Sequence, residues 1–156
     1  MEKIEYLIRH PDHSDLEKIV AFYLKEISPN TPYKLVEETI LYHMASTQRL
    51  PPTNFMIACK DGDILALSIT RFSHTSKAYE IECTTKVDLR RQGIAYSLIT
   101  NSMTQCQKSG FFSFLAHIHH ENIGCISLFE KIGFKLNKSI TSTKYQTYLL
   151  TSSSAT

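Results

Sequence analysis

The stretch YEIECTTKV-DLRRQ-GIAYSLITNSMTQCQKSG, running from Tyr79 to Gly110, decides the fold. Tyr79, Ile81, Cys83, Thr85 and Val87 alternate with Glu80, Glu82, Thr84 and Lys86, which is the period of a strand. From Gly93 the apolar residues Ile94, Leu98, Ile99, Met103 and Cys106 recur at helical spacing, and Gly110 supplies a C-cap. Arg90-Arg91-Gln92-Gly93-Ile94-Ala95 lies between the two. A glycine and an alanine at the mouth of a helix let a ligand approach the backbone. The unpaired amides of the first turn, with the helix dipole, then favour an anion. Two arginines just upstream add charge-assisted donors for phosphate oxygens. Strand, basic loop and glycine-led helix together read as a pyrophosphate cradle.

Neither GxGxxG nor GxxxxGK[ST] occurs, so the dinucleotide and nucleoside-triphosphate loops lose their main support. The spacing present is Arg-x-x-Gly-x-Ala directly after a strand. Further on, Glu121-Asn122 is followed by Ser127-Leu128-Phe129-Glu130-Lys131-Ile132-Gly133-Phe134. These two motifs, in this order with a strand between them, resemble the acetyl-CoA loop and second signature of the GNAT superfamily of N-acetyltransferases. The resemblance is strong from Tyr79 to Phe134 and rests elsewhere on element order.

Composition describes an ordinary globular domain. The chain has 156 residues, 42% hydrophobic and 21% charged, with a net charge of +2. Residues 1–150 read as one domain and 151–156 as a polar tail that frays. Basic residues are scattered, so neither nucleic acid nor an anionic membrane surface is expected as a partner. No signal peptide or bilayer-length apolar run is apparent, which favours a cytoplasmic protein. Cys59, Cys83, Cys106 and Cys125 lie far apart without a CxxC pair and read as reduced thiols.

In order, the pattern predicts a strand over Ile4–Arg9 and a helix capped by Asp12 or Ser14, with Glu17 completing a capping box on Ser14. A second helix opens at Thr31-Pro32. Asn54–Lys60 and Ile64–Phe72 form a hairpin around Asp61-Gly62-Asp63. After the central strand and helix come a strand over Phe111–His119, a helix over Asn122–Lys131, and a closing hairpin of Phe134–Ile140 and Lys144–Leu150. The order βααβββαβαββ matches the resembled family. It implies a single α/β domain with a central, mixed and mostly antiparallel sheet and helices on both faces.

Candidate site residues follow from both lines of reading. Arg90, Arg91, Gln92, Gly93, Ile94 and Ala95 form the cradle. By the resemblance, Thr85 and Val87 offer free backbone groups to the pantetheine arm, and Asn122 contacts that arm. As a helix N-cap, Asn122 needs no such role. Glu80 and Glu82 share a strand face, where a carboxylate can take a proton from an ammonium substrate if burial raises its pKa. Glu82, nearer the cradle, is the preferred base. His117 and His119 share another face, but two histidines without further spaced ligands make no zinc site, and no metal is expected. His119 and His120 stay open as a base or relay.

Phe129 departs from the family pattern. A tyrosine usually stands there, and its hydroxyl protonates the departing thiolate. Phenylalanine has no proton to give, so Tyr96 and Tyr145 are the two substitutes to weigh. The implied activity is acetyl transfer from acetyl-CoA to a primary amine by direct attack in a ternary complex. An acyl-CoA-binding module without turnover is the alternative. The resemblance also implies pairing of two copies through the sheet or the C-terminal strands.

Overall fold

The computed structural model describes residues 4–152. Seven strands and four helices follow in the expected order: β1 (Leu7–Arg9), α1 (Leu16–Glu26), α2 (Tyr33–Ser46), β2 (Asn54–Lys60), β3 (Asp63–Ser73), β4 (Ala78–Thr85), α3 (Ile94–Lys108), β5 (Ser113–His119), α4 (Ile123–Ile132), β6 (Lys135–Thr141) and β7 (Tyr145–Thr151). They build one sheet in the order β1-β2-β3-β4-β5-β7-β6. Every pairing is antiparallel except β4 with β5. Asp61 and Gly62 both take positive φ, 51° and 83°, as the two-residue β2–β3 turn requires.

The alternation in each strand divides two layers. Phe55, Ile57, Leu67 and Ile69 pack against Ile19, Val20, Phe22, Val36 and Ile40 of α1 and α2. Tyr79, Ile81, Phe114, Ala116 and Ile118 pack against Ile99 and Met103 of α3 and Phe129 of α4. Both helices of that second layer stop at glycine. Gly110 (φ 92°) places the Phe111 amide on the Cys106 carbonyl at 3.1 Å, and Gly133 (φ 120°) places the Phe134 amide on that of Phe129 at 3.0 Å.

Several boundaries differ from expectation. β1 is confined to Leu7–Arg9, and the α1 capping box moves upstream: Asp12 caps a 3-10 turn at His13–Asp15, and Asp15 answers it in place of Glu17. Asp15 is fixed there because Arg9 grips it through two bonds of 2.7 and 2.8 Å. α2 begins one residue late, with Pro32 as its N-cap. The tail assigned to 151–156 is partly structured, since Thr151 pairs with Ser113 in β7 and the Ser152 amide bonds Phe112 O; residues 153–156 lie outside those described.

One buried group makes stability depend on pH. His43 of α2 is buried, its Nδ1 has no hydrogen-bond partner among the described residues, and burial, helped by the Arg71 charge, lowers its pKa to about 4. The unfolded chain takes up this proton near 6.5 and the folded chain only near 4, so stability falls as pH drops through that window. The expected loss is on the order of 3 kcal/mol. Asp15, held low by Arg9, adds acid sensitivity only below its ordinary range. Denaturant titrations from pH 7 to 4 should show this limb, and His43→Met should flatten it.

Candidate active site

β4 and β5 run parallel but pair only at Tyr79–Phe114 and Glu80–Leu115. Beyond that point the two strands part. β4 keeps its ladder with β3 as far as Thr85–Ala66, and β5 keeps its ladder with β7 as far as His119–Tyr145. The β5-facing backbone groups of Ile81 to Thr85 are therefore left without a strand partner, a ready edge for an extended ligand. Thr85 lies at the open end, buried, with its Oγ1 unpartnered among the described residues. Val87 is not the last strand residue. It opens a 3-10 turn, Val87–Leu89, and is 64% exposed beside the cleft. The Lys86 amide still donates to Leu65 O at 2.9 Å, in register with the β3 ladder, and the chain then curls into the turn.

The loop expected as a cradle follows directly in the chain. Arg91 (φ 67°) and Gly93 (φ 82°) are both left-handed, curling the loop tightly around Gln92. An arginine held in that region carries strain, the kind of outlier that clusters at ligand clamps. Gly93 is the N-cap of α3, and no side chain caps its first turn. A Cβ on Gly93 would meet no atom within 4 Å. Arg90 and Arg91 are exposed, and among the described residues neither joins an ion pair. Ile94 is buried in the core, where it anchors the helix, while Ala95 adds little bulk to the first turn. An open anion seat with two uncommitted guanidiniums fits a pyrophosphate.

Across the cleft, Asn122 is the N-cap of α4, its Oδ1 accepting the Cys125 amide at 3.2 Å. The capping role is thus realised, and its Nδ2 donors stay free of hydrogen bonds among the described residues. Phe129 is 2% exposed and packs edge-on against Phe134 at 5.0 Å, inside the core.

The α1/α2 face of the parting strands holds the ionisable groups. Arg71 Nη2 lies 2.9 Å from Glu82 Oε1 and 3.8 Å from Glu80 Oε2. His117 Nε2 lies 3.3 Å from Glu80 Oε1, and its Nδ1 lies 2.9 Å from Thr147 Oγ1. Because a carboxylate only accepts, Nε2 carries the proton, and in neutral His117 the threonine donates to Nδ1. The burial expected of Glu82 is absent: its side chain is 62% exposed, held by Arg71 rather than by desolvation. Glu82, His117, Ile140, Ser142, Tyr145 and Thr147 line a cavity of about 500 Å³ at the cleft mouth. His119 Nδ1 accepts the Glu121 amide at 3.2 Å, and its ring stacks on His120 at 4.8 Å. Arg71 and Thr147 were not legible as site residues, since the only signal was their strand parity, and His117 stood out only as half of a histidine pair without further metal ligands.

Residues 16–134 match the sequence profile of the acetyltransferase (GNAT) family. The chain belongs to that family. Its structure is similar to the PaiA N-acetyltransferase of Thermoplasma acidophilum solved with coenzyme A: TM-score 0.78, 15% identity, 96% of this chain and 100% of that one covered. It is similar as well to an N-acetyltransferase of Staphylococcus aureus Mu50, at TM-score 0.75 and 21% identity over 95% and 99% of the two chains. A third likeness is to YncA of Salmonella typhimurium solved with acetyl-CoA, at TM-score 0.76 and 14% identity over 95% and 94%. At such identities these likenesses establish the GNAT fold alone. No curated protein sequence matches the chain. Among the described residues, no three His, Cys, Asp or Glu side chains are grouped to hold a metal ion, and no helix is long and apolar enough to cross a membrane.

Proposed function

We propose that this GNAT protein transfers an acetyl group from acetyl-CoA to a primary amine, by direct attack within a ternary complex. The observation that carries the reading is the parting of β4 from β5, on the strand that leads through one short turn into the Gly93 loop. In this reading the cradle and its arginines hold the pyrophosphate, and the pantetheine arm lies along Ile81 to Thr85. The amine enters from the α1/α2 face, where Glu82 takes its proton directly or through one water. Arg71 occupies Oε1 of Glu82, while Oε2 has no hydrogen bond among the described residues and is the oxygen left to take the proton. Much of the rate advantage comes from holding two substrates in one cleft.

Release of free thiol from acetyl-CoA, followed across a panel of amines, tests this reading. Amine-dependent release supports transfer; tight acetyl-CoA binding without release for any amine favours the acyl-CoA-binding module instead. The buried Phe129 is the observation on the side of that second reading. Arg90→Ala and Arg91→Ala are each expected to weaken acetyl-CoA binding by about 1–3 kcal/mol, as measured by calorimetry. Unchanged affinity in both would leave the phosphates to the backbone amides.

A further inference from the structure

Acetyl transfer leaves a thiolate that needs a proton, and the cavity at the cleft mouth restricts where it comes from. Among the described residues, six line that cavity. Ile140 has no proton to give. Glu82 faces it as the proton acceptor of the proposed reaction. Thr147 is buried and committed to His117, and both ring nitrogens of His117 are engaged, by Thr147 at 2.9 Å and Glu80 at 3.3 Å. The Ser142 hydroxyl donates to Tyr145 O at 3.3 Å, and an aliphatic hydroxyl is too weak an acid for the task. Tyr145 remains. Its side chain is 48% exposed, its hydroxyl has no hydrogen-bond partner among the described residues, and its ring stands edge-on to His119 at 5.6 Å. The β5–β7 ladder sets it opposite His119, where β5 has parted from β4.

The other tyrosines are placed less well. Tyr96 lies under the Lys131 ammonium at 5.3 Å and lines no part of this cavity. Tyr23 approaches from α1, but burial first and the Glu82 charge second raise its pKa, so it holds its proton more tightly. Tyr6, Tyr79 and Tyr148 spend their hydroxyls on Ser97 Oγ, Pro52 O and Gln146 Oε1.

We infer that Tyr145 is the general acid of the proposed transfer, giving its hydroxyl proton to the departing thiolate. This rests on the acetyl-transfer reading. The amine first loses one proton to Glu82. Its nitrogen then bonds to the acetyl carbon as the carbon–sulfur bond breaks, and the sulfur takes both electrons of that bond and the Tyr145 proton. The nitrogen sheds its second proton to solvent, Glu82 passes its proton to solvent, and solvent reprotonates the exposed tyrosinate. The sum is acetyl-CoA plus ammonium giving amide, free thiol and one proton.

The test compares Tyr145→Phe with the unaltered protein, using acetyl-CoA and the best amine from the panel. Tyr145→Phe should keep its acetyl-CoA affinity by calorimetry, lower kcat about 10- to 100-fold, and lose the alkaline fall in kcat that marks deprotonation of an essential acid. A structural role would move affinity or stability and leave the shape of the pH profile alone. Full activity in Tyr145→Phe, or loss of the alkaline limb in Tyr96→Phe while Tyr145→Phe keeps it, overturns the assignment without touching the acetyl-transfer reading. An unaltered protein that binds acetyl-CoA but transfers to no amine overturns both.

Discussion

Gly93→Glu is expected to abolish measurable acetyl-CoA binding while leaving the fold intact. The reason is local. Gly93 caps α3 at φ 82° with empty space beyond its Cα, so an added side chain projects into the seat proposed for the pyrophosphate. Its charge also faces the phosphates. Two like charges about 4 Å apart at an effective dielectric near 20 repel by about 4 kcal/mol, roughly a thousandfold in affinity. A non-glycine residue at positive φ costs the fold only about 1 kcal/mol beyond this. Isothermal calorimetry with acetyl-CoA, beside a thermal melt to show that the variant is folded, checks the result. Unchanged affinity in a folded variant would remove the cradle, and with it the proposed reaction.

Glu82→Gln should carry the second-largest effect, a fall in kcat of about 100-fold with acetyl-CoA affinity preserved. Glutamine keeps the size of the side chain and still accepts the Arg71 bond through its amide oxygen, so the geometry survives the loss of the base. The ascending limb of kcat against pH should flatten as well, because the group whose ionisation produces it is gone. A profile identical to that of the unaltered protein would take the base role from Glu82. Glu80 would then come forward, held between Arg71 at 3.8 Å and His117 at 3.3 Å.

Much of this was legible in the chain itself. The alternation from Tyr79 to Thr85 determined a two-faced strand with both glutamates on one side, because side-chain direction in a strand follows from parity alone. Arg90 to Ala95 determined a glycine-led helix mouth with free first-turn amides, the feature on which the proposed anion seat rests, because these are local chemistry. Gly110 and Gly133 determined where two helices stop. Asn122 determined its own cap.

What only the tertiary structure decided concerns groups brought together from distant strands. Where β4 and β5 part depends on which neighbour each strand keeps, and no local pattern states that. The meeting of Arg71 from β3, Glu80 and Glu82 from β4, His117 from β5 and Thr147 from β7 follows from sheet order and register, so the ion pair that holds Glu82 in place of burial had no sequence signal. The preference for Tyr145 over Tyr96 in the proposed reaction rests on the same kind of information. Their sequence contexts rank them equally as phenols, and packing alone sets one beneath Lys131 and the other in the cavity that Glu82 lines. Local rules determine what a segment can do, while long-range pairing determines which segments do it together.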